Sequence, residues 1–142
     1  MTNAAFTGQS ASTRAAPSLD HFEQVARDTV ATFPEPFRKG AEGVVLHVAD
    51  WPTPDMLEDL QIPHREDLTG LYQGIPMTHK SATWPQSTPD IVWLFREPIL
   101  AEWRARGDVA LDDIITNVTV HEFAHHFGWS DGDIARIDQW WL

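Results

Sequence analysis

The sequence predicts a single α+β domain, in which a small β-sheet packs on one long helix and additional helices complete the fold. Its 142 residues fit one domain, since domains commonly run from about 100 to 200 residues. Two short runs rich in β-branched and apolar residues, at positions 43–49 and 91–95, predict buried strands. Apolar residues recur at helical spacing in two further segments, of which positions 110–127 form the longer. We find neither an internal repeat nor a second domain.

The first half of the chain predicts a tail, a helix, a strand and a short helical turn. We assign residues 1–17 to a flexible N-terminal tail and residues 18–142 to the folded domain. Ser18 can cap a helix whose apolar positions recur through Phe33. Pro34 and Pro36 end this helix because proline lacks the backbone donor. The strand at 43–49 follows, and residues 56–60 predict one helical turn.

The second half predicts a loop, the clearest strand of the chain and its longest helix. Residues 68–89 are rich in Gly and Pro and predict mostly loop, with residues 70–76 as the most ordered part. The strand at 91–95 fits either an edge or the centre of a sheet, and a short helix is expected over 99–106. Asp108 is the predicted N-cap of the long helix, which stops at Gly128. A last turn or helix is expected over 131–142.

Charge and composition exclude several classes of function. Ten Lys and Arg against 21 Asp and Glu give a net charge of -11, which disfavours nucleic acid because phosphate binding needs basic residues. The chain has no cysteine, so disulfides, iron–sulfur clusters, thiolate metal sites and a cysteine nucleophile are excluded. Since no apolar run approaches the roughly 20 residues of a membrane span and the N-terminus lacks a secretory apolar core, we expect a cytoplasmic protein without a membrane partner.

The long helix contains the pattern HEFAH at residues 121–125, an H-E-x-x-H motif. His121 and His125 lie one turn apart and only about 40° apart around a helix, so both can reach one ion. Imidazole nitrogen suits Zn²⁺. Glu122 points about 100° away from His121, which places it beside the metal, where it can take a proton from zinc-bound water. The helix is apolar on two sides and therefore predicted to be buried, and buried imidazoles are costly without an ion or partners.

The residues after the motif supply a candidate third ligand. Where the chain turns sharply after a helix, the helix usually ends at a residue with positive φ, a conformation that Gly128 can adopt without strain because glycine has no Cβ. The turn can bring Asp131 back toward the ion. We therefore predict one Zn²⁺ held by His121, His125 and Asp131, with water in the fourth position.

Four further residues are candidates for supporting roles. Tyr72 could donate to the oxyanion that develops during acyl transfer, although packing against the sheet with its hydroxyl at the surface explains it as well. His79 could serve the same role or be a solvated loop residue. Trp129 is expected to pack over the turn and hold the third ligand in place. His126 points about 100° further round the helix and should miss the ion, so it supports the site or belongs to an interface.

The extended pattern, H-E-x-x-H-x-x-G-x-x-D, resembles that of the zincin metallopeptidases. All three methionines precede the motif, so we expect no downstream methionine turn and exclude a full metzincin. The chain is more similar to the bacterial minimal zincin-like metallopeptidase family, formerly a domain of unknown function. The similarity rests on GLYQGIP at 70–76, PDIVWLFREPI at 89–99 and HEFAHHFGWSD at 121–131, and it covers roughly residues 19–138. It implies a minimal zincin-like fold and peptide-bond hydrolysis.

These observations predict a zinc-dependent metallopeptidase that hydrolyses peptide bonds in a peptide or protein substrate by a Glu-activated, zinc-bound water. The alternative is a catalytically weak or inactive zinc-binding module that acts in protein interaction or regulation. A metal-dependent ribonuclease with an H-x-x-x-H-x-x-G-x-D-H pattern is disfavoured, because Ser130 and Asp131 stand where that pattern has Asp and His. The acidic net charge also opposes RNA binding.

Overall fold

A computed structural model of the chain describes residues 17–75 and 89–128. These residues form an α+β arrangement of helices around a three-stranded sheet, which confirms the predicted fold class. No helix in this part of the chain is both long and apolar enough to cross a bilayer. The elements in chain order are α1 (Leu19–Ala31), α2 (Phe37–Gly40), β1 (Val45–Ala49), α3 (Pro54–Leu60), a 3₁₀ turn (Arg65–Asp67), β2 (Gly70–Gln73), β3 (Ile91–Phe95), α4 (Arg96–Arg106) and α5 (Leu111–His126).

Two of the helices begin at side-chain caps. The Ser18 hydroxyl accepts a hydrogen bond from the backbone N–H of His21 at 3.3 Å, as the sequence predicts for the start of α1. The Thr53 hydroxyl accepts from the N–H of Met56 at 3.2 Å at the start of α3. Each cap satisfies one of the donors that the first turn of a helix leaves without an intrahelical partner.

The sheet has the strand order β1–β3–β2. β1 runs parallel to β3, with Val45 opposite Ile91 and Ala49 opposite Phe95. β2 runs antiparallel to β3, with Gly70 opposite Leu94. β3 is therefore the central strand, which decides between the two positions that the sequence left open for it. β1 and β2 are the edges of the sheet that the described residues form.

Helix α5 lies between two apolar clusters, as its two apolar sides predict. One cluster joins it to α1, α4 and the sheet, and the other joins its C-terminal half to the region of α2. Because both sides are covered by protein, the helix is held firmly along most of its length. From α5, the first cluster takes Leu111, Ile114, Ile115 and Val118, and the second takes Val120, Phe123 and Phe127 just beyond its end.

Several boundaries differ from the sequence-based expectations. α4 begins at Arg96 and includes Pro98 in its first turn, where the missing N–H costs nothing because the first turn has no intrahelical partner for it. Asp108 is not the N-cap of α5, which is Ala110 without a side-chain hydrogen bond. The four-residue α2 was not predicted, because one turn of helix carries no periodic pattern. The predicted tail up to residue 16 and the last helix at 131–142 lie outside the described residues.

Candidate metal and catalytic site

The two histidines of the motif lie side by side on α5. The ring centroids of His121 and His125 are 4.9 Å apart, and their planes meet at 79°. Both side chains are half-buried. The four-residue spacing on a continuous helix produces this proximity, as the sequence predicts. Two imidazoles at this distance present nitrogen donors of the type that zinc binds.

Glu122 lies on the side of α5 that packs against the edge strand β2. A Cβ atom placed on Gly70 of β2 would lie 3.0 Å from the Glu122 Cγ and 2.7 Å from the Val118 Cγ1. It would also lie 3.2 Å from the Trp93 carbonyl oxygen. The 2.7 Å contact is shorter than a Cβ atom makes in real proteins and the other two are unusually tight, so glycine at this position allows β2 to approach the helix closely. The carboxylate-bearing side chain is thereby brought next to the sheet edge.

The part of the chain that follows the motif is described as far as Gly128. This residue has a φ of 88°, the left-handed conformation that was predicted for it and that glycine adopts without a Cβ penalty. Its N–H bonds to the His125 carbonyl at 3.0 Å and closes the end of the helix. The predicted ligand Asp131 and the candidates Trp129 and His79 lie outside the described residues.

The donor set fits zinc as far as it is described. Among the described residues, 17–75 and 89–128, no group of three or more His, Cys, Asp or Glu side chains could hold a metal ion. His121 and His125 supply two imidazoles, which suit Zn²⁺, and the predicted third ligand, Asp131, lies outside the described residues. The chemistry of the pair is therefore compatible with the predicted site.

Behind the motif, the structure reveals a buried cluster of polar side chains that joins α5 to the sheet. His126 is 4% exposed and Asp90, which immediately precedes β3, is 2% exposed. The His126 Nδ1 lies 2.8 Å from the Asp90 Oδ2. On the other side of the ring, the Nε2 lies 3.0 Å from the Gly40 carbonyl oxygen. Since a carbonyl can only accept, the Nε2 carries a hydrogen and donates it.

Tyr72 is the third member of this cluster. Its hydroxyl donates to the Asp90 Oδ2 at 3.1 Å and lies 3.5 Å from the His126 Nδ1. Burial, followed by the negative charge and the hydrogen bond of Asp90, raises the pKa of Tyr72 well above its usual value. The phenol is thus kept protonated and directed at a buried carboxylate.

Gly74 shows how closely the chain packs on this cluster. It has a φ of 156°, and a Cβ on it would overlap the Asp90 carboxyl group. A side chain at this position would displace the carboxylate. Because Gly74 has no side chain, its backbone can lie directly against Asp90 and leave room for the Asp90 carboxylate.

Sequence reasoning did not identify Asp90 as part of the site. The Pro-Asp pair at 89–90 looked only like the start of a strand, and an aspartate beside a strand is ordinarily a turn residue. His126 was recognised as pointing away from the ion, but its partners could not be named. They lie 36 and 86 residues away in the sequence, and no local pattern connects them.

The fold and the motif together define a class of protein. A small sheet packed on a helix that carries H-E-x-x-H, with the glutamate beside the sheet edge, is the arrangement expected of a zincin. The chain belongs to the zincin-like metallopeptidase family, whose model matches residues 41–141, well over half of the sequence. This confirms the resemblance inferred from the motifs. A comparison with curated proteins gave no significant match.

Proposed function

We propose that the protein is a zinc-dependent metallopeptidase in which Glu122 is the general base. His121, His125 and Asp131 are the residues that would hold one Zn²⁺. The observation that carries the proposal is the pair of adjacent imidazoles on α5 with Glu122 next to the sheet edge. Membership of the zincin-like metallopeptidase family supports it.

The chemistry requires a group that moves a proton twice. Glu122 takes a proton from the attacking water and passes it to the amine that leaves when the peptide bond breaks. When bound, zinc polarises the scissile carbonyl and lowers the pKa of water. The half-buried position of Glu122 suits this role, because the side chain keeps access to solvent water while the contact with β2 limits its movement.

Family membership favours a peptide or protein substrate, and β2 is the strand that we propose receives it. β2 is an edge of the described sheet, runs antiparallel to β3 and lies against Glu122. An extended peptide can add to such an edge through backbone hydrogen bonds, which give affinity independent of its sequence. This would bring a peptide bond next to the general base.

The remaining candidates keep supporting roles in the proposal. The bond from the Tyr72 hydroxyl to Asp90 favours a role in supporting the end of α5 over donation to an oxyanion. Oxyanion donation by His79 and the packing of Trp129 over the turn stay predictions, as do the cytoplasmic location and the folded domain at 18–142.

Substitution of Glu122 by Gln tests the mechanism. The variant keeps the size of the side chain and loses the base, so we expect zinc to be retained and hydrolysis to fall by about 10²-fold or more. Zinc content is measured by elemental analysis of the purified protein, and hydrolysis by cleavage of a broad peptide library. His121→Ala and Asp131→Ala are the matched variants that should lose the metal itself.

The same experiment separates peptidase from binding module. Full hydrolysis by Glu122→Gln of a peptide that the wild type cleaves would disprove the general-base role. Stoichiometric zinc in a wild-type protein that cleaves no member of the library would instead support the alternative, a zinc-binding module that acts in protein interaction or regulation.

A further inference from the structure

We propose that Asp90, His126 and Tyr72 form a positioning cluster that fixes the last turn of α5 and thereby the direction of the His125 imidazole. The inference rests on the proposed function, since it takes His125 as a zinc ligand. It goes beyond that function because it assigns a task to three residues that neither bind the ion nor transfer a proton.

The contacts of His126 tie the end of α5 to two other elements. Its Nε2 donates to the carbonyl of Gly40, the last residue of α2. Its Nδ1 faces Asp90 at the start of β3. Because both ring nitrogens are engaged on opposite sides, the imidazole cannot rotate without breaking a contact. The two contacts therefore fix the end of α5 relative to the sheet, both in its position along the helix axis and in its rotation about that axis.

Tyr72 adds a connection to the strand that we propose receives the substrate. Its hydroxyl and the His126 Nδ1 meet at the same oxygen of Asp90. Asp90 and His126 are nearly inaccessible to solvent, so water is poorly placed to replace a lost partner. The cluster therefore connects β2, β3 and the end of α5 through one buried carboxylate.

The last turn of a helix is where such support has the largest effect. The last four carbonyls of a helix lack partners within it, and helix ends fray for this reason. In α5 the carbonyls of Phe123, Ala124 and His125 accept from the N–H groups of Phe127 and Gly128, so the last turn depends on residues just beyond the helix. His125 lies in this turn, next to His126, whereas His121 lies one turn earlier. The first apolar cluster reaches along α5 only as far as Val118. A small rotation of the last turn would change the angle between the two imidazoles, and the orientation of ligands controls metal affinity.

Asp90→Asn and His126→Gln test the proposal through zinc binding without any need for hydrolysis. Zinc affinity is measured by competition with a chromophoric chelator, and ligand geometry by the visible absorption of the Co²⁺-loaded protein. We expect each variant to bind zinc about tenfold or more weakly than the wild type and to show an altered cobalt spectrum. Circular dichroism establishes that each variant is folded at the temperature of the measurement.

A matched control distinguishes positioning from general loss of stability. Ile115 is fully buried on the same helix and belongs to the first apolar cluster, away from the polar one. Ile115→Ala should lower the denaturation midpoint but keep the zinc affinity and the cobalt spectrum. Tyr72→Phe removes a single hydroxyl and serves as the second test variant if Asp90→Asn does not fold. We expect it to lose less zinc affinity than the other two variants.

The outcomes separate this inference from the proposed function. Wild-type affinity and an unchanged cobalt spectrum in folded Asp90→Asn and His126→Gln would overturn the positioning role alone. If Tyr72→Phe kept the zinc affinity and the cobalt spectrum of the wild type but lost hydrolysis, Tyr72 would act on the transition state and would have no part in positioning His125. A wild-type protein that binds no zinc would overturn the proposed function, and this inference with it.

Discussion

At the scale of single residues, local spacing identifies the motif, whereas long-range packing determines what its neighbours do. His121, Glu122 and His125 could be singled out from the sequence because their chemistry depends on positions one, three and four residues apart on a helix. Asp90 could not, since its importance comes from burial and from a contact with His126. A residue's burial depends on the whole fold and cannot be predicted from its neighbours in the sequence.

Tyr72 allows this residue-scale description to be tested, because it is the only tyrosine in the chain. Its pKa is raised in the folded state, so the stability that its hydroxyl contributes is fully present below the ordinary tyrosine pKa of about 10. That contribution declines as the pH rises from there toward the folded pKa. We expect phenolate absorbance to develop at a higher pH in the native protein than in the protein unfolded by urea.

Tyr72→Phe is the control for this titration, as it should abolish the phenolate signal and leave only the tryptophan background. The variant should also lack the alkaline loss of stability that is due to this hydroxyl. Equal titration midpoints for the native and the unfolded wild-type protein would contradict the burial of the Tyr72 phenol beside Asp90.

At the scale of elements, helix ends were harder to predict than helix and strand cores. The strand β3 has the predicted bounds, because its apolar run ends abruptly at a charged residue. α4 begins three residues earlier than predicted, since a proline in a first turn does not prevent helix formation. The N-cap of α5 was misassigned to Asp108, because a side chain that can cap a helix does so only when the backbone brings it within reach.

Gly128 and Gly107 form a matched pair for testing how α5 ends. Both end a helix in the left-handed conformation, with φ of 88° and 76°. Substitution by Ala should cost about 1–2 kcal/mol at either position, because an L-residue is strained there. Only Gly128→Ala should also weaken zinc binding, since we propose that this turn directs the chain toward Asp131.

The comparison is made by urea denaturation and by competition with a chelator. Gly107 is a suitable control because a Cβ on it would meet no atom within 4 Å, so its substitution tests backbone strain alone. Equal zinc affinity in both variants would show that the turn at Gly128 is not needed to form the site.

At the scale of the whole molecule, the position of the motif between sheet and helices follows from the two apolar sides of α5. One side packs in the cluster with α1 and α4, and the other faces the region of α2. The sequence predicts this two-sided burial, but it cannot say which elements cover each side. That choice depends on contacts between segments far apart in the chain, for which a single sequence contains no local signal.

The extent of the domain can be tested by truncation. Removal of residues 1–16 should leave the denaturation midpoint unchanged, because we assign them to a tail. Removal of residues 1–18 also deletes the Ser18 cap and the Pro17 carbonyl, to which the Arg96 Nε donates at 2.7 Å. This longer deletion should cost about 1 kcal/mol of stability. A lower midpoint after the first deletion would show that the tail contributes to the fold.

The sequence alone determined the fold class, the H-E-x-x-H motif and the restriction to nitrogen and oxygen ligands, because each depends on composition or on short spacings. The tertiary structure decided that β3 is central, that β2 lies against Glu122 and that His126 meets Asp90 and Gly40. These features require segments up to 86 residues apart to meet, and only the packed chain brings them together. The residues that would hold and use the metal are local, whereas those that support them are distributed over the fold.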